Sequence, residues 1–163
     1  MVIQVEGEWA HIIKAFRETK ADIVAGVDCY AIEHNTACVF HMMRVAEHGL
    51  RALARERRVK LKNDKPLTHE NWNTIIEETD KKAQEIQKTA RAGDQKDAAL
   101  AFYNGALAHL RALKDRYRNR VMHARETFNP HEAGDATFHT KSLMAGLATK
   151  INDLTTHQIR WGF

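Results

Sequence analysis

The stretch Arg118-Asn119-Arg120-Val121-Met122-His123 holds residue types that can break a phosphodiester without a metal ion. That reaction needs a group to take a proton from an RNA 2′-hydroxyl or return one to the leaving 5′-oxygen. It also needs a fixed cation beside the phosphate as negative charge redistributes. Histidine suits the first task because its unperturbed pKa lies near neutrality. Arginine suits the second, because its planar fork binds phosphate oxygens and stays charged. Asn119 and His123 are four residues apart, so on a helix the amide can orient the imidazole. Arg118 lies about 140° around an ideal helix from His123. The two converge only if the helix loosens or if a second subunit completes the site.

The surrounding charge is uneven. The chain has 163 residues and a formal net charge of +4. Between Arg51 and Lys65 the basic residues are Arg51, Arg55, Arg57, Arg58, Lys60, Lys62 and Lys65, against Glu56 and Asp64. Between Arg111 and Arg125 they are Arg111, Lys114, Arg116, Arg118, Arg120 and Arg125, against Asp115. Two concentrated patches point to a polyanionic partner. Each alone also fits a solvated helix end, where cations complement the helix dipole.

The elements that must position these residues are helical. Eight Gly and two Pro interrupt the whole chain, and hydrophobic residues make up 44% of it. A single domain over residues 1–163 buries roughly 70% of its unfolded surface and needs no staples. The apolar spacing predicts an up-down bundle of four to five helices. Helix one is expected from about Glu6 to about Ile32, with Gly26–Asp28 as a possible break, and helix two from Thr36 to about Arg58 with Asn35 as its cap. Thr68 reads as the cap of helix three, with Leu67 and Trp72 as a hydrophobic staple, and the helix continues to about Ala90. Asp94 reads as the cap of helix four, which ends near His123–Arg125. Asn129-Pro130-His131-Glu132 has the residues of a capping box for helix five, to about Thr155. Short connections make successive helices antiparallel, so helices two and four are expected to share one end of the bundle. The two basic patches would then converge there as an RNA groove of Arg55, Arg57, Arg58, Lys60, Lys62, Arg116, Arg120 and Arg125.

Several functions have no support. There is no Walker loop, Gly-rich dinucleotide turn or G-x-S-x-G. A di-iron bundle needs two Glu-x-x-His pairs, and Glu8-Trp9-Ala10-His11 is the one present. His34, Cys38, His41 and His48 share a helical face, but a cap at Asn35 leaves His34 outside, so no metal or other cofactor is expected. The N-terminus lacks the basic and apolar regions of a signal peptide, no run reaches a membrane span, and the two cysteines form no framework. A cytoplasmic location without membrane contact is the expectation. Glu47, at the border of helix two's apolar stripe, needs a partner; Arg51, Arg44 and Arg118 are the candidates.

An all-helical chain of this size, with R-N-x-x-x-H at the end of its fourth long helix, resembles the HEPN superfamily. Thr36-Ala-Cys-Val-Phe-His-Met-Met-Arg-Val-Ala-Glu47 and Lys114-Asp-Arg-Tyr-Arg-Asn-Arg-Val-Met-His123 are similar to recurrent helices of bacterial members. The likeness covers roughly residues 10–150. Tyr117 stands where members often have Trp. The resemblance implies a homodimer whose two motifs face each other across a cleft, acting as a metal-independent endoribonuclease of toxin or defence systems, with an antitoxin as a possible protein partner. Arg118 would contact the scissile phosphate, His123 would serve proton transfer or phosphate binding, and Asn119 would position. Apart from the resemblance, Glu47 on helix two is read either as a structural ion pair or, with Arg118 as its partner, as support for the site. Other members keep the fold without demonstrated cleavage, so a non-catalytic domain binding RNA, a nucleotide or a protein is the alternative.

Overall fold

The computed structural model describes residues 5, 7–123, 126–155 and 158–162, and its described elements are all helical. They are α1 (Ala10–Ala15), α2 (Lys20–Ala31), α3 (Asn35–Glu56), α4 (Trp72–Thr89), α5 (Asp94–Leu113), a π-helical turn (Lys114–Arg118), the short α6 (Asn119–Val121) and α7 (Pro130–Ala148). No described helix is long and apolar enough to cross a membrane.

The helix expected over Glu6–Ile32 is two helices. It breaks at Phe16–Thr19, where the Thr19 hydroxyl and amide both turn back onto the Phe16 carbonyl and the Asp153 amide takes the Ala15 carbonyl. A threonine competing for local backbone groups gives the chain an alternative to helix. Gly26 is not a break. A Cβ there would lie 2.3 Å from Met42 Cε, so glycine lets α2 and α3 approach closely. Asp22 secures the same contact, accepting from Arg44 Nε and pairing with His41 Nδ1, each at 2.8 Å.

α3 is the spine. Twelve of its residues are buried, from Cys38 to Glu56, on a face wide enough to meet α2, α7 and α4 at once. Asn35 is the first residue of α3 rather than its cap, and Asp94 is likewise the first residue of α5, after Gly93 at the cap position. At the other end Arg58 adopts φ 54 and the Val59 amide reaches the Ala54 carbonyl, a Schellman closure made without glycine.

The direction of the next helix departs from expectation. Rather than turning tightly, the chain after Arg58 doubles back along α3, with Leu61 buried and Arg51 Nη2 donating to the Thr68 carbonyl. α4 therefore starts partway up α3 and ends beside Arg57, parallel to it. Its cap is Asn71, accepting from the Thr74 amide, and not Thr68, which lies in a 3-10 turn. α5 then returns antiparallel to α4, as Lys114–Asn73, Arg111–Asp80 and Asn104–Gln84 contacts show. Hence α5 is antiparallel to α3: Tyr103 meets Glu56, and Phe128 meets Thr36. The expected convergence of helices two and four at one end is overturned by the returning connection.

α7 opens with the expected capping box, Asn129 with Glu132. It ends at Ala148, not near Thr155, because Thr149 bonds back to the Gly146 carbonyl and the chain leaves to cover α1. At Gly49 a Cβ would lie 2.5 Å from Met144 Sδ, so α3 and α7 also meet at a glycine.

Glu56 is fully buried and accepts from Arg57 twice (2.9 Å), the Tyr103 hydroxyl (3.1 Å) and the Ile159 amide (2.7 Å). Arg57 stacks 4.5 Å from the Tyr103 ring centroid, and Trp161 Nε1 donates to the Tyr103 hydroxyl. Burial pushes the Tyr103 hydroxyl far above its ordinary pKa.

Two stability predictions follow from these pairs. Glu56→Ala strands a buried guanidinium and should cost about 3–5 kcal/mol in urea unfolding, whereas an apolar Glu56→Met/Arg57→Met pair should recover much of that loss. For Asp22, burial raises the carboxyl, but hydrogen bonds from Arg44 and His41 outweigh it and hold the pKa below the ordinary value. Its stabilisation is therefore present above the unfolded value of about 3.9 and lost as pH falls through the folded value. Asp22→Asn should lower the urea midpoint at neutral pH and show a shallower acid loss than wild type; equal acid slopes would remove Asp22 from the account.

Candidate functional site

Leu113 hands the chain from α5 to a π turn, where the Asn119 amide reaches the Lys114 carbonyl, five residues back. A π turn underwinds a helix locally, and such turns often mark functional sites. Here it carries Tyr117 inward, fully buried, while Arg118 is half-buried and Asn119 is exposed. α6 lasts three residues and the chain then tightens, the His123 amide bonding to the Arg120 carbonyl. Met122 is 60% exposed and His123 stands beside it in solvent.

The inward residues anchor this end. Arg120 binds Glu132 (2.8 Å) and Glu126 (3.3 Å) and lies 4.5 Å from the Phe128 ring centroid. Glu132 is also the capping residue of α7, so one carboxylate ties the motif to the start of the next helix. Its hydrogen bond from Arg120, aided by the Asn129 amide, holds its pKa below the ordinary value. The same bond raises Arg120. Phe128 in turn donates its amide to Thr36 at the start of α3, and its ring centroid lies 6.3 Å from that of Tyr117.

Most cations around the motif are neutralised. Arg111 pairs with Asp80, Lys114 with Asp115, Arg116 with Asp135, and Arg120 with Glu132 and Glu126. Arg118 is the exception. Among the described residues its side chain has no hydrogen bond, ion pair or ring contact, and neither have those of Asn119 and His123. One chain thus presents an unneutralised guanidinium, an amide and an imidazole, without joining them to one another.

The other expected site residues divide. Glu47 takes Arg51, its i+4 neighbour, at 2.7 Å. Arg116 and Arg120 have carboxylate partners, and Arg125 lies outside the described residues. Arg57 is not a surface contact at all, being buried against Glu56. Arg55, Arg58, Lys60 and Lys62 are exposed, but Arg55 to Lys60 sit at the C-terminal end of α3, whereas the segment after the motif meets its N-terminal end. With 22 residues in α3, those ends are about 33 Å apart. One groove joining both patches is therefore corrected to two separate surfaces.

Cys38 contacts the Thr137 hydroxyl, His41 binds Asp22, and His48 binds Asp153. Among the described residues no three His, Cys, Asp or Glu gather to hold a metal. The feature that sequence reasoning missed is the Tyr117 hydroxyl, which is buried without a hydrogen-bond partner and whose pKa is raised by burial. The π turn was equally hidden, since no Pro or Gly marks it. No family model, curated protein or solved structure matches this chain.

Tyr117→Phe removes a buried hydroxyl that has nothing to bond. Its stability should equal or exceed wild type, by up to about 1 kcal/mol, because no hydrogen bond is lost and no partner is stranded. A thermal midpoint lowered by several degrees would show that the hydroxyl does find a partner in solution.

Proposed function

We propose that this chain is a metal-independent endoribonuclease of the HEPN type, working as a homodimer with Arg118, Asn119 and His123 at a shared cleft. The observation that carries the reading is the partition of charge: of the cations from Arg111 to Arg120, Arg118 alone lacks a counter-ion among the described residues. A guanidinium kept free in the same motif as an exposed imidazole is available to an incoming phosphate.

In this reading Arg118 grips the non-bridging oxygens of the scissile phosphate. His123 removes the proton of the adjacent 2′-hydroxyl or returns one to the departing 5′-oxygen, and Asn119 orients the imidazole. The 2′-oxygen attacks phosphorus and the P–O5′ bond breaks, leaving a 2′,3′-cyclic phosphate and a free 5′-hydroxyl. A second copy supplies what one helix cannot, a histidine facing the first copy's arginine. The exposed Met122 beside His123, and Phe40 at 41% exposure on α3, offer apolar side chains for such a contact. A toxin or defence role, with a neutralising antitoxin as partner, and a cytoplasmic location belong to the same reading. Arg118 and His123 stay apart in the single chain, which favours as second reading a non-catalytic domain that binds RNA, a nucleotide or a protein.

Arg118→Ala and His123→Ala should each stay folded and dimeric and lose RNA cleavage by about 10²-fold or more. Cleavage should survive EDTA and yield cyclic-phosphate ends. His131→Ala, outside the motif, should cut normally. Purified wild type that cuts neither structured nor unstructured RNA, with or without divalent metal, would favour the binding reading. Cleavage surviving both motif substitutions would sink the site.

A further inference from the structure

At the end of the bundle opposite the motif, the C-terminal residues 158–162 cross the end of α4 and wall off an open cleft of about 710 Å³. Its lining includes Arg57, Lys82, Ile86, Arg91, Arg160 and Trp161. The wall is built in. Glu56 holds the Ile159 amide and Tyr103 holds the Trp161 indole. Among the described lining residues the one carboxylate, Glu85, is bonded to Lys82, and Arg57 is spent on Glu56. That leaves Arg91 and Arg160, both exposed and without a counter-ion among the described residues. The positive surface does not stop at the rim: Arg55, Arg58 and Lys60, next to Arg57 in the chain, are exposed and likewise unpaired.

We infer that this cleft is a second, distal RNA-docking site that holds the phosphate backbone of a strand on Arg91 and Arg160. Cations alternating with apolar and aromatic lining suit a ligand that shows both phosphates and base faces, as single-stranded RNA does. The volume alone would also admit a mononucleotide. The cations continuing beyond the cleft favour a longer polyanion, and the concave floor favours a strand over a flat anionic membrane. The docking itself stands without the nuclease reading. Its use, to hold one part of a long RNA while another part reaches the motif about 30 Å away, rests on that reading.

The test uses the full chain carrying Arg118→Ala and His123→Ala, so that bound RNA is not cut. Affinity for a labelled RNA of about 16 nucleotides, near the upper site size of a single-strand binder, is measured against salt. Arg91→Glu/Arg160→Glu should weaken binding about tenfold or more and flatten the log–log salt slope by about 1.4, two phosphate contacts at about 0.7 each. The neutral Arg91→Gln/Arg160→Gln pair should do the same in smaller measure, and circular dichroism checks that both remain helical. Unchanged affinity and slope overturn the proposal. So does binding of ATP, or of phosphatidylserine vesicles, that the charge reversal abolishes while RNA binding persists. In the chain with an intact motif, loss of long-RNA binding together with no cleavage of any RNA keeps the docking site and rejects only the nuclease.

Discussion

A single carboxylate collects the chain. Glu56 sits at the end of the central helix with no exposure to solvent, and its oxygens take donors from Arg57, Tyr103 and Ile159. Those three positions belong to the turn after α3, the middle of α5 and the C-terminal strap. A charge buried this deeply is tolerated only with its donors in place, so the register of all three segments is fixed together. With Tyr103 at Glu56 and Phe128 at Thr36, α5 runs toward the start of α3, and its C-terminal end is carried to the opposite pole.

That constraint decides what the motif's neighbours are. Had α3 and α5 run parallel, Arg118 would share an end with Arg55–Lys60 and stand in a field of mutually repelling cations. Instead its neighbours in the chain meet the start of α7, where Glu132 in the first turn and Asp135 in the second neutralise Arg120 and Arg116. The capping box has two roles here. It satisfies the helix start through Asn129 and supplies the carboxylate that fixes Arg120, so Arg118 is left as the motif's available cation.

What the sequence made legible were features written in local pattern. The capping box at Asn129 was one. The apolar stripes of α3 and α4 were another, because three-four spacing depends on few residues. What stayed hidden depended on contacts far apart in the chain. No local signal says that the segment after Arg58 climbs back along α3, since that follows from burying Leu61 and bonding Thr68 to Arg51. Arg57 read as one more surface cation, because the glutamate that buries it is adjacent in sequence but the tyrosine roofing it is not. Gly26 read as a weak point where it is a point of closest contact.

The same long-range constraint separates two kinds of positive charge that composition cannot distinguish. In the stretch around the motif nearly every cation is matched, so its field is short-ranged and one guanidinium can be specific. Around the C-terminal end of α3 the exposed cations have no counter-ions among the described residues, so their field reaches further and discriminates less. Under the proposed RNA reading, a polyanion would meet the second surface first and be aligned by the first. Geometry at one pole and attraction at the other would then divide the labour, which a single merged groove, with both sets of charges side by side, would not do.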